Sequence, residues 1–419
     1  MRLMIATAVR RMHGGVEMYL QQTIAALSAR GVQVALFAER DGGLNRTAIQ
    51  LPPGVPAWSL EESGREGALR RAQEFAPDII FCHRLEDLDL ERAFLQIAPG
   101  VFFAHNYYGT CISGTKTRSF PHPAPCPRIF GAACLAQYFP RRCGGLNPAT
   151  MLRLYAANRA RLELLRDYAA VLTNSDYLRD EYRRHGINAR AVPLFAPEGH
   201  AEAAHQLSQD RWRLLFAGRM EKLKGGALLL DAAVLLRRRL DRDLHLTFAG
   251  DGPERSAWQT KARSLPAGIQ VEFAASPSGA WLSQDELAQL YAQSHLLIMP
   301  SLWPEPFGLT GIEAGMHFTP AVAFPVGGIP QWMHDGENGV FAGLPASPES
   351  LAEAIAQALQ PQLYPRLRGG AHTIAQEFSV ERHCTQLEAQ FAQVLSASSR
   401  FAARPDEPQV SLNAGAATK

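Results

Sequence analysis

Short apolar runs alternate with longer stretches of helical periodicity along most of the chain. Residues 3–6, Leu-Met-Ile-Ala, form a first strand pattern, residues 18–29 a helix closed by Gly31, and residues 32–37 a second strand. This strand–turn–helix–strand order predicts a βαβ unit with a parallel sheet. The alternation continues with a helix over 64–75, strands over 77–83 and 101–106, a helix over 151–168, a strand over 170–175 and a helix over 176–185. Residues 41–60 read as loop, 191–197 as the exit from a first domain, and the polar stretch 198–210 as a linker.

The second half repeats the pattern. Strands are expected over 213–219, 244–249, 269–273, 296–301 and 321–324, with helices over 227–240, 285–293 and 351–359. Residues 371–396 read as helix with a break near Ser379, and the tail from Ala397 has no apolar period. The division that follows is 1–196 as a first domain, 197–375 as a second, 376–396 as a helix packing back on the first, and 397–419 as a disordered tail. Open α/β sheets bind ligands beyond the carboxyl ends of their strands. His83 and His105 each close a strand pattern, so both fall where chemistry is expected.

Composition narrows the picture. A chain of 419 residues fits two or three domains, and a net charge of +2 gives no reason to expect nucleic acid. No apolar run approaches ~18 residues, so no membrane span is expected, and the apolar start is too short for a signal peptide. Six cysteines are sparse for a secreted disulfide scaffold, which favours a reducing cytoplasm. Four of them, Cys111, Cys126, Cys134 and Cys143, lie in an insertion over about 107–149 that is rich in Pro and Arg and poor in periodicity. Such a segment is expected to be functional rather than a plain connector. The four thiols are a candidate structural zinc set, against free thiols or a disulfide pair, although their spacing lacks any Cys-x-x-Cys pair. The basic residues of the insertion and of the 151–168 helix allow peripheral attachment to an anionic membrane, on its inner face.

The densest chemistry runs from Pro300 to Val340. Glu305 and Glu313 are separated by seven residues, and Pro306-Phe307-Gly308-Leu309 between them reads as a turn exposing backbone N–H groups. Glu313 is expected to open a helix, with a second turn at Val326-Gly327-Gly328. A helix N-terminus beside a Gly turn suits phosphate, and a carboxylate near it suits hydroxyls. Upstream, Arg219 and Lys224 flank a strand-to-helix turn, as a diphosphate clamp would. Gly14-Gly15 at the first helix start permits close approach of a ligand.

Four segments together resemble one family. Gly218-Arg219 to Lys224-Gly225, the turn Ala249-Gly250-Asp251-Gly252-Pro253-Glu254, Glu305-Pro306-Phe307-Gly308-Leu309 with Glu313-Ala314, and Met12-His13-Gly14-Gly15-Val16-Glu17 are similar, in this order, to the motifs of the retaining family 4 glycosyltransferases. The resemblance covers roughly 1–396. It implies a GT-B fold, in which two Rossmann-like domains face each other across a cleft: an acceptor domain first and a nucleotide-sugar donor domain second. It implies that Arg219 and Lys224 neutralise the donor diphosphate, that Glu313 accepts from ribose hydroxyls, and that Glu305 lies on the sugar side. Phe307, Gly308 and Leu309 would offer backbone N–H groups, Gly250 and Gly15 would approach the donor, and His105 would stand near the transferred sugar.

The implied activity is hexosyl transfer from a UDP- or GDP-sugar to a hydroxyl acceptor in glycan, glycolipid or cell-envelope polysaccharide synthesis, with no required cofactor. The sequence departs at Gly315-Met316-His317-Phe318, where the family commonly has smaller residues, and the cysteine-bearing insertion is not general to it. A nucleotide-sugar epimerase of the same architecture and a noncatalytic sugar-nucleotide-binding protein are the alternatives.

Overall fold

The computed structural model describes residues 1–12, 14–42, 47–197, 210–274 and 282–402. His13, the linker over 198–209 and the tail over 403–419 lie outside the described residues. Fifteen strands among these residues form two parallel sheets and one small hairpin.

The first sheet holds β1 (Arg2–Val9), β2 (Gln33–Arg40), β3 (Ala57–Ser59), β4 (Ile79–Cys82), β5 (Gly100–Ala104), β8 (Ala170–Thr173) and β9 (Ala189–Ala191), in the order β3-β2-β1-β4-β5-β8-β9. The second holds β10 (Arg211–Ala217), β11 (Asp243–Ala249), β12 (Ile269–Ala274), β13 (Leu296–Met299), β14 (Ala321–Ala323) and β15 (Gly339–Phe341), in the order β12-β11-β10-β13-β14-β15. The hairpin pairs β6 (Thr117–Arg118) with β7 (Ala124–Pro125) inside the insertion.

Central strands are apolar on both faces because helices cover both sides of a parallel sheet. Leu3 to Ala6 are fully buried, as are Leu296 and Leu297. In each sheet the strand order reverses beside its first strand, at β1/β4 and at β10/β13. A crevice opens at such a reversal beyond the strand ends. His83 and His105 follow β4 and β5, Gly14-Gly15 follow β1, Gly218-Arg219 follow β10, and the Glu305 segment follows β13.

Several boundaries differ from the expectation. The stretch 41–60 contains β3, which three flanking prolines disguise, and Ser59 caps the following helix Leu60–Phe75 with a capping box to Glu62. The helix expected to open at Glu313 begins at Leu309, because Gly308 enters the left-handed region (φ 86°) and turns the chain into it. Glu313 therefore sits in the second turn. The last helix, Val380–Ala402, runs beyond the expected limit of 396.

That last helix carries Cys384, Leu387, Phe391 and Val394 on one face, and all four are buried. The spacing of three and four residues makes one apolar stripe. It packs against the first sheet's layer: Phe391 meets Phe81 at 5.2 Å between ring centroids, Arg30 pairs with Glu388 at 2.9 Å, and Arg190 reaches Gln390 at 2.8 Å.

Candidate active site

The Gly225 turn leads from a short 3-10 turn, Lys222–Lys224, into the helix Gly226–Arg237. It must be glycine: φ is 76°, and a Cβ would stand 1.9 Å from the Pro300 carbonyl oxygen. This contact presses the turn against the end of β13 and brings Lys224 to Glu305. Their Nζ and Oε1 atoms are 2.6 Å apart. The Glu305 side chain is 8% exposed and that of Lys224 is 21% exposed, so the pair is largely withdrawn from water. Phe216, Gly218, Pro300, Ser301, Gly308 and Thr310 line the same cavity of about 200 Å3, together with Lys224, Glu305 and Leu309.

Glu305 is held through its backbone as well. Gly328 N donates to the Glu305 carbonyl at 2.7 Å, and a Cβ on Gly327 would lie 2.1 Å from that oxygen. The Val326-Gly327-Gly328 turn, expected beside phosphate, is thus a buttress under Glu305. Phe307 is 2% exposed, and its carbonyl accepts from Trp332 Nε1 at 2.8 Å. Glu313 accepts a hydrogen bond from Tyr291 OH at 2.9 Å. Burial raises its carboxyl above the usual range, and the Tyr291 bond offsets part of that rise.

Other expected residues stand apart. Arg219 is 69% exposed at its side chain and pairs with Glu221 at 2.6 Å, so it is not gathered with Lys224. Gly250 packs on the strand next to it: a Cβ would lie 2.1 Å from the Gly218 oxygen. Gly14 and Gly15 open the helix Gly15–Ala29 with no side-chain cap, and an added Cβ at either would meet open space.

His105 Nε2 and His83 Nδ1 share a hydrogen bond of 2.9 Å. Burial, with His383 nearby, lowers His105 to about 3, and burial also holds His83 well below its usual value. Both are neutral imidazoles at pH 7, able to exchange hydrogen bonds but not to act as cations. His383, on the last helix, donates from Nδ1 to the Pro193 carbonyl at 2.6 Å, which leaves Nε2 to accept from Tyr19 OH at 2.9 Å.

The two sheets' crevices are joined by contacts that the sequence did not point to. Tyr107 OH donates to the Pro304 carbonyl and Ser175 OH to the Pro306 carbonyl, on either side of Glu305. Trp303 Nε1 donates to the Thr115 carbonyl at 2.7 Å, and Asp176 N donates to Gln331 Oε1 at 2.8 Å. Asn174 Nδ2 donates to the His105 carbonyl at 3.3 Å, so His105 lies one hydrogen-bonded residue from this seam. Tyr107 and Ser175 lie at strand-end positions, the one signal that would have flagged them.

In the insertion, Lys116 forms a fully buried ion pair with Glu181 and donates to the Arg128 carbonyl at 2.5 Å. His185 Nε2 accepts from Phe130 N at 2.8 Å, which pins the insertion to the helix Asp176–Arg183. Cys111, Cys126, Cys134 and Cys143 line one cavity of about 210 Å3 with Arg118, Arg128 and Arg141. All six cysteines are free thiols, and burial pushes Cys143 up to about 11. Among the described residues no three Cys, His, Asp or Glu side chains are grouped to hold a metal ion. The four thiols of the zinc expectation thus share one cavity wall.

Two parallel-sheet domains, each with its strand order reversing beside its first strand, have the architecture of the GT-B class. The sequence matches the profile described as Glycosyl transferases group 1 over residues 200–369 and that of Glycosyltransferase Family 4 over 13–195. A D-inositol 3-phosphate glycosyltransferase of Frankia alni is 30% identical over 386 residues, covering 85% of this chain and 89% of that protein. One from Actinosynnema mirum is 28% identical, covering 91% and 92%. The chain belongs to the family 4 glycosyltransferases. Among solved structures, Anabaena Alr3699/HepE in complex with UDP and glucose has the same fold, with a TM-score of 0.64 at 18% identity over 93% of this chain and 99% of that one. WaaG, a glycosyltransferase involved in lipopolysaccharide biosynthesis, gives 0.63 at 16% identity over 92% and 98%. Membership makes the chain a glycosyltransferase with a nucleotide-sugar donor. Among the described residues no helix is long and apolar enough to cross a membrane.

Proposed function

We propose that the chain transfers a hexose from a UDP- or GDP-sugar to a hydroxyl acceptor, with retention at the anomeric carbon, and that the donor sits in the cavity closed by Lys224 and Glu305. The observation that carries this reading is the 2.6 Å pair at the start of the Leu309–Met316 helix. A diphosphate arriving at that N-terminus meets an ammonium, a helix dipole and the backbone N–H groups of Gly308 and Leu309. Charge builds on the diphosphate as the glycosidic bond breaks, and Lys224 stabilises it where it develops. Arg219 joins by leaving Glu221, a solvent-exposed partner it gives up at small cost. Glu313, steadied by Tyr291, accepts from ribose hydroxyls. Glu305 faces the sugar, and neutral His105 hydrogen-bonds a sugar hydroxyl from the other side.

The acceptor reaches the sugar from the first domain. The relatives' names point to a phosphorylated polyol as the first acceptor to try, beside glycan and lipid-linked hydroxyls. The insertion and the helix after it suit work at an anionic membrane: Phe120, Ile129, Leu146 and Leu152 are exposed large apolar side chains, and Arg128, Arg141, Arg142 and Arg153 accompany them in sequence. The test is product formation from a panel of labelled nucleotide sugars with mixed acceptors. Transfer that is lost in Glu305→Gln supports the reading. Donor turnover with no acceptor consumed contradicts it.

A further inference from the structure

Trp303 touches both the insertion and the Lys224 ammonium. Its indole N–H donates to the Thr115 carbonyl of the insertion at 2.7 Å, and its ring covers the Lys224 ammonium at 4.7 Å from the centroid. The insertion grips the neighbouring residue too, since Tyr107 OH donates to the Pro304 carbonyl and its ring meets Trp303 edge-on at 6.3 Å. On the opposite side, Leu302 N donates to the Leu223 carbonyl at 2.8 Å, beside Lys224. Trp303 is thus the only side chain described above that bonds the insertion and faces the donor-site cation at once.

We propose that Trp303 is a positioning residue that makes the placement of Lys224 depend on the seating of the 107–149 insertion. A cation over an indole face is held more firmly when water is excluded from it. The ring keeps its orientation over Lys224 while Nε1 is bonded to Thr115. When the insertion lifts away, the ring stays beside Lys224 but loses its fixed orientation, so the ammonium is no longer held where charge develops on the diphosphate. Donor-site geometry is completed by a segment of the other domain, so sugar transfer is favoured when the acceptor side is closed. The inference rests on the donor-site reading above.

Two variants separate the ring from its N–H. Trp303→Phe keeps an aromatic face over Lys224 and removes the bond to Thr115. We expect nucleoside diphosphate Kd to stay within about twofold of the parent while kcat falls roughly three- to tenfold, the loss expected for one hydrogen bond. Trp303→Leu removes the face as well, and Kd for UDP or GDP should weaken roughly three- to tenfold. In a Lys224→Met background, Trp303→Leu should weaken Kd no further. Kd is read by calorimetry and kcat with the labelled donor, on full-length chains whose thermal midpoints match. An unchanged kcat in Trp303→Phe, or an equal Kd loss from Trp303→Leu with and without Lys224, overturns the proposal. If Trp303→Leu fails to fold, Trp303→Phe alone decides through its kcat. A parent chain that binds neither UDP nor GDP overturns the donor-site reading itself, a result distinct from either.

Discussion

Lys224 Nζ stands 2.6 Å from Glu305 Oε1, inside a cavity that also holds the start of the next helix. Each charge is compensated by the other while no diphosphate is present. Removing one leaves its partner buried and unpaired, and frees it for a ligand of opposite sign.

Glu305→Gln should therefore separate binding from chemistry. The ammonium, released from its carboxylate, should bind a nucleoside diphosphate at least as tightly as in the parent. Sugar transfer should fall by about a hundredfold, the scale of losing one charged group at the reacting centre. Calorimetry for binding and a labelled-donor assay for transfer check both. Full transfer activity in the variant would remove Glu305 from the reaction.

Tyr291→Phe tests Glu313. Tyr291 OH is its hydrogen-bond donor, at 2.9 Å. Without it the carboxyl rises further, and the orientation towards a ribose loosens. The donor KM should increase about three- to tenfold with kcat little changed, the value of one hydrogen bond. An unchanged donor KM would detach Glu313 from donor binding.

Acid should destabilise the fold through its buried histidines. His383 and His295 are each lowered to about 4, in both cases chiefly by burial. Their folded values lie below the unfolded value of about 6.5, so the unfolded chain binds more protons between those limits. The stability they contribute is full above roughly pH 6.5 and is lost as pH falls through about 4. Each contributes a slope of about 1.4 kcal/mol per pH unit in that window. Urea midpoints measured from pH 7.5 to 4.5 should fall steadily; flat midpoints would contradict the burial of these rings.

Lys224 and Arg219 supply positive charge from the protein itself, so transfer should survive dialysis against EDTA. A loss of activity restored by a divalent ion would show that the cations do not suffice.

Much of the architecture is legible in the sequence for a physical reason. Central parallel strands such as residues 3–6 and 296–299 are buried on both faces and read as unbroken apolar runs. β3 and β9 do not read this way, because strands of three residues at a sheet's edge carry too few apolar positions. Glu305 and Lys224 were marked by local chemistry, and the structure brings them into contact. Trp303, Tyr107 and Tyr291 carried no such mark. Trp303 and Tyr107 bond backbone carbonyls more than 180 residues away in sequence, and Tyr291 meets Glu313 across a turn of packing rather than within a motif. The glycines show the same limit. Gly250 and the Gly327 turn were expected beside a ligand, yet each glycine is required by a neighbouring backbone oxygen, as Gly225 is.

The most direct measurement is titration of the parent chain and Lys224→Ala with a panel of UDP- and GDP-sugars. The account predicts that at least one binds the parent and that Lys224→Ala weakens it tenfold or more, at about 1.4 kcal/mol per tenfold. Binding that is unaffected by Lys224→Ala, or no binding by the parent to any member of the panel, would contradict the placement of the donor in this cavity.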